Sequence, residues 1–137
     1  MSTVIDGSAG VTTNAGGSVN PSTNIDGINY SCRAWVNFNG TTNVGGFCTI
    51  RGSGGVTSVA DNGTGDYTVN FSFTFSDTNY AVVGTSKIVG GTGGQNIRIH
   101  NDAYATAVTT TAVKVQITSS GNAATADSEM VNIAVFR

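Results

Sequence analysis

The residues of this chain that could do chemistry are few and scattered. The chain has one histidine, His100, two cysteines, Cys32 and Cys48, and a single glutamate, Glu129. No His-Glu-x-x-His, Gly-x-Ser-x-Gly, Walker A or Cys-x-x-Cys motif occurs in the sequence. We therefore predict that the protein is not an enzyme, and we expect no catalytic residue, no metal site and no cofactor.

Asp6, Asp26, Asp61 and Asp66 stand beside glycine or asparagine, and Asp77 stands in the turn-like segment Ser-Asp-Thr-Asn at residues 76–79. Aspartate in that setting forms turns, because its carboxylate accepts the backbone N–H two residues further on. We interpret these residues as turn formers. They do not form the acid and base pair that a depolymerase needs.

The histidine and the cysteines each leave alternatives open. His100 makes ordinary hydrogen bonds at a surface or interface, or meets its copies on a three-fold axis and holds a metal or anion there. Cys32 and Cys48 fall on consecutive predicted strands. Three states are possible for them: two buried reduced thiols, an intrachain disulfide that forms after release from the cell, or a disulfide to another chain. Synthesis in a cytosol favours the thiols.

The element that organises the chain is the run GTGDYTVNFSFTFSDTNYAVV at residues 63–83. Apolar and aromatic residues alternate in it with hydroxyl and amide side chains, the apolar set being Tyr67, Val69, Phe71, Phe73 and Phe75. A period of two is typical of a strand with one buried face. The run therefore predicts a strand whose aromatic face lies in the core.

Similar strand signals recur along the chain, with turn residues between them. The predicted strands are residues 31–38, 46–51, 55–60, 67–75, 80–88, 95–101, 111–118 and 129–136. About eight short antiparallel strands indicate an all-β fold, a jelly-roll-like β-sandwich.

Two strands carry apolar residues whose partners the sequence leaves open. The last strand is apolar on both faces, so it is either central in the sheet or covered by a neighbouring subunit. Trp35 lies in the middle of the first strand of the predicted domain. A tryptophan there is more typical of a core or an interface than of a ligand platform.

The first part of the chain differs in composition from the rest. Small and polar residues dominate residues 1–29, with scattered apolar anchors at Val4, Ile5, Val11, Val19 and Ile25. Such a segment buries too little surface to order itself, so we predict an extended docking arm, followed by one domain at residues 30–137.

Charge and hydropathy restrict the partners. Six Lys and Arg residues are spread singly against eight acidic residues, which argues against a nucleic acid partner. The N-terminus lacks the basic start and apolar core of a signal peptide, and no apolar run approaches the length of a membrane span. We expect synthesis in a cytoplasm without a signal peptide, and no insertion into a membrane.

Several blocks resemble the C-terminal domain of bacteriophage tail-fibre and related virion proteins. They are CRAWVNFNG at residues 32–40, VTSVADNGTGDYTVNF at 56–71, NYAVV at 79–83 and the final residues 127–137. The opening TVIDGSAGVTT at residues 3–13 is similar to the N-termini of phage fibre and appendage proteins. The resemblance implies a homotrimeric β-sandwich knob that attaches through its N-terminus.

The resemblance also implies a location and a function. We expect a virion protein, on the tail or the capsid surface, whose residues 1–29 bind a larger virion protein. The chain is short for a fibre, so the prediction is a short tail fibre that contributes to host-surface recognition. The alternative is a trimeric decoration protein that stabilises the capsid and binds no receptor.

If the knob recognises a host surface glycan, its loops are the expected contacts. The candidate residues are Gly91, Thr92, Gly93, Asn101, Asp102 and Tyr104.

Overall fold

The structure is a computed structural model that describes residues 4–6, 10–12, 31–87, 95–100, 104–119 and 124–137. The chain divides into two compact units, Met1–Ser31 and Cys32–Arg137. In the first unit, two short strands pair in antiparallel register, β1 (Val4–Asp6) and β2 (Gly10–Thr12). The predicted division into an arm and a domain near residue 30 stays a prediction.

The second unit is an antiparallel sheet of eight strands. The strands are β3 (Cys32–Val44), β4 (Phe47–Gly54), β5 (Val56–Gly63), β6 (Asp66–Phe71), β7 (Ala81–Ser86), β8 (Gln95–Ile99), β9 (Ala112–Ser119) and β10 (Val131–Phe136). One helical turn, α1 (Tyr104–Ala107), lies between β8 and β9. The predictions of an all-β class and of about eight antiparallel strands are confirmed.

The sheet is continuous and almost closes on itself. Its hydrogen-bonded order is β7-β10-β3-β4-β5-β6-β9-β8, so β7 and β8 are the two edges. These edges approach each other, because a Cβ atom placed on Gly84 of β7 would lie 3.1 Å from Ile97 Cδ1 of β8. The sheet therefore has the shape of a nearly closed cylinder.

Alternation along the strands fills the inside of this cylinder with apolar side chains. Phe38 of β3 meets Tyr67 of β6 across the interior, edge to face, with ring centroids 5.1 Å apart. Valine and isoleucine from β5, β9 and β10 fill much of the remaining interior, with Val59, Val113, Val115, Ile117, Val131, Ile133 and Val135 all buried. The predicted aromatic face of residues 63–83 does belong to the core.

The strand in that run ends earlier than predicted, at Phe71 instead of Phe75. The backbone leaves β6 there, and Phe75 N–H donates to the carbonyl of Thr110. Phe75 remains buried because it packs edge to face on Phe71 and stacks on Tyr80, at centroid distances of 5.1 and 4.8 Å. The aromatic residues thus continue the core after the strand has ended.

The turn between β3 and β4 also differs from the prediction. The predicted strands leave residues 39–45 for this turn, whereas the two turn residues are Gly45 and Gly46, with φ values of 62° and 89°. Gly40 stays in the strand because its N–H donates to the Ser128 carbonyl and its own carbonyl accepts from the Tyr67 hydroxyl. Tertiary hydrogen bonds therefore override the local Asn-Gly signal.

The last strand, β10, is central, since it lies between β7 and β3. Its inward side chains are buried, while Met130 just before it and Phe136 at its end are 41% and 36% exposed. Both sequence interpretations therefore remain relevant: the strand is central, and its outer side is still open. No helix among the described residues has the length and apolar character needed to span a membrane.

Candidate functional site: two outer faces of the sheet

The outer surface of the sheet carries a row of apolar side chains across three strands. In register, Trp35 of β3 lies beside Ala134 of β10, which lies beside Val83 of β7. Trp35 is 48% exposed and Val83 is 53% exposed. We call the outward side chains of Trp35, Val83, Ala134 and Phe136 the Trp35 face. Because its indole is half exposed, Trp35 is not a core residue, which removes one of the sequence interpretations.

Two glycines on the neighbouring strand determine where the Trp35 ring lies. A Cβ atom on Gly54 would come within 2.5 Å of the indole Nε1, and one on Gly52 would lie 3.4 Å from Cη2. The ring therefore rests on the bare backbone of β4, in a space that a side chain at residue 54 would fill. This position leaves the surface above Ala134 uncovered.

A polar row runs beside the apolar one. Asn37 Nδ2 donates to Asn132 Oδ1 at 2.5 Å, and Asn132 Nδ2 donates to Thr85 Oγ1 at 3.1 Å. These residues are paired in register on β3, β10 and β7. The row holds its amides in fixed orientations, since each bond limits the rotation of two side chains.

Together the two rows form a shallow groove along β10. Its volume is about 360 Å³, and its lining includes Trp35, Asn37, Val83, Thr85, Asn132 and Ala134. Large side chains on β3 and β7 form its walls, and the small Ala134 lies between them. A mainly apolar groove bordered by ordered amides can accept an apolar side chain of a partner.

The other half of the sheet has a different outer surface. Its outward residues pair as two rows across β6, β9 and β8. We call these two rows the polar face. One row consists of Asp66, Gln116 and Arg98, and the other of Thr68, Lys114 and His100. Neighbouring side chains in such rows are about 5 Å apart. The polar face therefore holds three of the chain's seven histidine, lysine and arginine residues.

Contacts within the polar face tie its side chains together. His100 Nε2 lies 3.2 Å from Asp66 Oδ2. The Arg98 guanidinium donates twice to Gln116 Oε1, at 3.0 Å from Nε and 2.5 Å from Nη2. The sequence predicts Asp66 as a turn former, and its carboxylate does contact the amide of Asn62 across the turn before β6. It also contacts His100, which the sequence does not predict. Arg98 is exposed and Lys114 is partly exposed, whereas Gln116 is buried, so the face offers cationic donors to a polar ligand.

Other aspartates behave as the sequence predicts. Asp61 Oδ1 accepts the N–H of Gly63, and Asp77 Oδ1 accepts the N–H of Asn79. The latter bond, with the Arg137 guanidinium, holds the pKa of Asp77 below its usual range. The side chains of Asp6 and Asp26 lie outside the described residues.

A buried polar contact escaped the sequence analysis. The Tyr67 hydroxyl lies 2.9 Å from the Gly40 carbonyl and 3.0 Å from Asp127 Oδ1, and Gly65 N–H donates to the same carboxylate oxygen at 2.7 Å. Burial, followed by the hydrogen bond to Asp127, raises the pKa of Tyr67. Its distance along the chain hid this contact, since Asp127 lies sixty residues from Tyr67.

Both cysteines carry free thiols, with Cys32 exposed and Cys48 buried. The intrachain disulfide considered from the sequence is not formed. In the register of β3 and β4, Thr49 lies opposite Asn39, whereas Cys32 lies at the other end of β3 and pairs with Phe136. Residues 32 and 39 are roughly 23 Å apart along a strand. Burial, then the charges of Asp61 and Asp127, raises the pKa of Cys48 to about 12.

The predicted contact residues are described only in part. Val4 and Ile5 lie on β1, and Ile5 pairs with Val11 of β2. Tyr104 begins α1. The remaining predicted residues lie outside the described part of the chain, namely Val19, Ile25, Gly91, Thr92, Gly93, Asn101 and Asp102.

The described ranges hold no group of three or more His, Cys, Asp and Glu side chains that could bind a metal ion. Comparisons of the chain with protein-family models, with curated proteins and with solved structures found no match.

Proposed function

We propose that this chain is a structural protein of a bacteriophage particle, a short tail fibre that assembles as a homotrimer. The observation that carries the proposal is the contrast between two outer faces of one sheet. The Trp35 face is apolar and exposed, as in a surface that a protein partner covers, whereas the polar face suits contact with solvent or a polar ligand. The resemblance of residues 32–40 and 56–71 to phage fibre domains supports the same proposal.

In this proposal the domain at residues 30–137 forms the knob, and the two halves of its nearly closed sheet act as the two layers of a jelly-roll-like sandwich. Residues 1–29 bind a larger virion protein through extended backbone contacts. Small side chains dominate that segment, so its backbone can approach a partner strand closely.

Host-surface recognition is assigned to the polar side of the knob. The segments that contain Gly91 and Asn101 flank β8 in the sequence, and β8 contributes Arg98 to the polar face. Amide, hydroxyl and guanidinium donors are the groups that bind saccharide hydroxyls and carboxylates. A host surface glycan is therefore the proposed ligand.

The alternative function is a trimeric decoration protein that stabilises a capsid shell. The observation that favours it is again the Trp35 face, because a shell protein can cover an apolar surface as well as a second copy can. In this alternative the polar face has no receptor.

Electron microscopy of intact particles separates the two functions. A location on the tail or baseplate is expected, and density on the capsid shell instead would contradict the fibre proposal. Recognition is tested with the purified full chain on host cells and on isolated envelope polysaccharide, with Arg98→Ala as the variant and Arg51→Ala as the control. Arg51 is an exposed arginine on β4, outside the polar face. Equal binding of both variants would contradict the assignment to the polar face.

A further inference from the structure

The guanidinium of Arg98 is exposed at an edge of the sheet, yet it is held in one orientation. Arg98 lies on the edge strand β8 and belongs to the exposed residues. Its Nε and Nη2 atoms both donate to Oε1 of Gln116 on β9, at 3.0 and 2.5 Å. Gln116 is only 8% exposed, so its amide is a fixed acceptor. Two bonds to one buried oxygen therefore orient the guanidinium before a ligand arrives.

The bonds to Gln116 leave one donor edge of Arg98 unused. A guanidinium has five N–H groups, and Gln116 accepts one from Nε and one from Nη2. The described part of the chain supplies no other acceptor to Arg98. The edge formed by Nη1 and Nη2 therefore keeps two parallel N–H groups. Such a pair matches the two oxygens of a carboxylate.

The carboxylates that could neutralise Arg98 are engaged elsewhere. Every acidic side chain that the structure describes contacts another residue, and the pairs are Asp61 with Gly63, Asp66 with His100, Asp77 with Arg137, Asp127 with Tyr67, and Glu129 with Lys87. Arg98 is therefore a charged group without a counter-charge among the described residues. An external anion can supply that charge.

The surroundings of Arg98 favour an anion although the chain as a whole carries a net charge of −2. The polar face has two cations, Arg98 and Lys114, and one carboxylate, Asp66, which lies 3.2 Å from His100 Nε2. Its local charge is therefore positive even when the histidine is neutral. Asn96 lies two residues before Arg98 on the same side of β8 and is exposed. An amide therefore stands beside the position of the anion and offers hydrogen bonds to hydroxyl groups.

We propose that the polar face binds an acidic saccharide, that Arg98 receives its carboxylate, and that Gln116 is the positioning residue for Arg98. One planar donor edge satisfies both oxygens of a carboxylate, whereas a phosphate or sulfate group presents a third oxygen for which this edge has no donor. The polar neighbours of Arg98 suit a ligand rich in hydroxyl groups. This inference rests on the host-glycan recognition in the proposed function and narrows its ligand to a saccharide that carries a carboxylate.

A panel of immobilised saccharides tests the class of ligand with the purified full chain. The panel holds oligosaccharides with uronic or sialic acids, the methyl esters of the same compounds, neutral oligosaccharides and sulfated ones. The ester is the matched ligand, because it keeps every hydroxyl group and removes only the charge of the carboxylate. We expect the acids to bind at least about tenfold more tightly than their esters. Equal binding of acids and esters, or binding of the sulfated compounds alone, would overturn the proposal.

Variants of Arg98 test the receiving residue, with the preference for acid over ester as the readout. Arg98→Ala should lower the affinity for the acid to that for the ester. Arg98→Lys keeps the charge but loses the planar fork, so its preference should lie between those of Arg98→Ala and the wild type. Arg51→Ala, an exposed arginine on β4 outside the polar face, is the control and should leave the preference unchanged. A wild-type preference in Arg98→Ala contradicts the role of Arg98.

Gln116→Met tests the positioning residue, because it removes the acceptor of both Arg98 bonds at nearly the same side-chain volume. The preference for acid over ester should fall, while a loss of folded protein alone would lower the binding of both ligands equally. An unchanged preference in Gln116→Met would refute the positioning role.

Failure of this inference can be told apart from failure of the proposed recognition. A chain that binds host cells or neutral saccharides but does not prefer acids would overturn the acidic ligand alone. A chain that binds neither the panel nor host cells would overturn host-surface recognition as well.

Discussion

Replacing Gly54 with alanine should displace the indole of Trp35. The new Cβ atom would lie 2.5 Å from Nε1 and 3.1 Å from Cδ1 of the ring. Nonbonded heavy atoms are most stable about 3.5 Å apart or more, so the ring has to retreat by roughly 1 Å. Overpacking of this kind costs about 1–3 kcal/mol where the neighbours cannot move. Trp35 is half exposed, so we expect movement of the ring together with a loss near the lower limit.

Gly52 provides the matched control. A Cβ atom there would lie 3.4 Å from the ring, an ordinary contact, and the backbone φ is not in the left-handed region. Gly52→Ala should be neutral, or stabilise by up to about 1 kcal/mol, because alanine lowers the entropy of the unfolded chain. The two substitutions add the same methyl group to the same strand, so their difference isolates the contact with Trp35.

The assay combines fluorescence with unfolding by urea. Trp35 is the chain's one tryptophan, so its emission reports on this position alone. We expect a red-shifted emission maximum and a lower urea midpoint for Gly54→Ala, and wild-type values or a raised midpoint for Gly52→Ala. Identical spectra and midpoints for the two variants would refute the argument that bare backbone at Gly54 seats the ring. Weaker association of Gly54→Ala would further connect ring position with assembly.

Three further predictions concern stability and thiol chemistry. Tyr67→Phe should lower the free energy of unfolding, measured by urea titration, by about 1–3 kcal/mol, since it removes a buried hydrogen bond to a carboxylate. The hydroxyl of Tyr80 contacts only backbone carbonyls among the bonds described, so Tyr80→Phe should lower it by about 0.5–1.5 kcal/mol. A larger loss for Tyr80→Phe than for Tyr67→Phe would contradict this. In the native protein at pH 8 a thiol reagent should modify Cys32 alone, because burial raises the pKa of Cys48 to about 12; modification of both without denaturant would be inconsistent with that burial. Because the pKa of Asp77 is lowered on folding, its carboxylate stabilises the protein above the ordinary aspartate pKa of about 3.9, and this contribution is lost as the pH falls through the lowered value. The gap in urea midpoint between wild type and Asp77→Asn should therefore be present at pH 6 and shrink as the pH falls below the ordinary aspartate pKa of about 3.9, and a gap independent of pH would count against it.

The positions of the strands could be predicted closely because they depend on local pattern. Alternation with a period of two identified β6, and turn residues separated it from its neighbours. Strand ends were less predictable. Gly40 follows asparagine and looks like a turn, but hydrogen bonds to Tyr67 and Ser128 hold it in β3. Those partners are distant in the chain, so no local pattern contains them.

The roles of single polar residues were predictable where the partner is close in the sequence and unpredictable where the partner is distant. The turn-forming role of Asp61 was predictable because its partner is two residues away. The contact of Asp66 with His100 was not, because it depends on β6 and β8 both pairing with β9. The free state of Cys32 and Cys48 likewise follows from the register of β3, which the sequence left open.

The sequence alone determined the all-β class, the number of strands, the inward aromatic face and the lack of a catalytic motif, because each of these depends on side-chain type and on a period along one strand. Only the tertiary structure decided which strands are neighbours, and therefore which outward residues meet. Trp35, Ala134 and Val83 form one apolar row because β10 lies between β3 and β7. Their separation along the chain gives no hint of that contact, since strand order depends on how the whole sheet closes around its core.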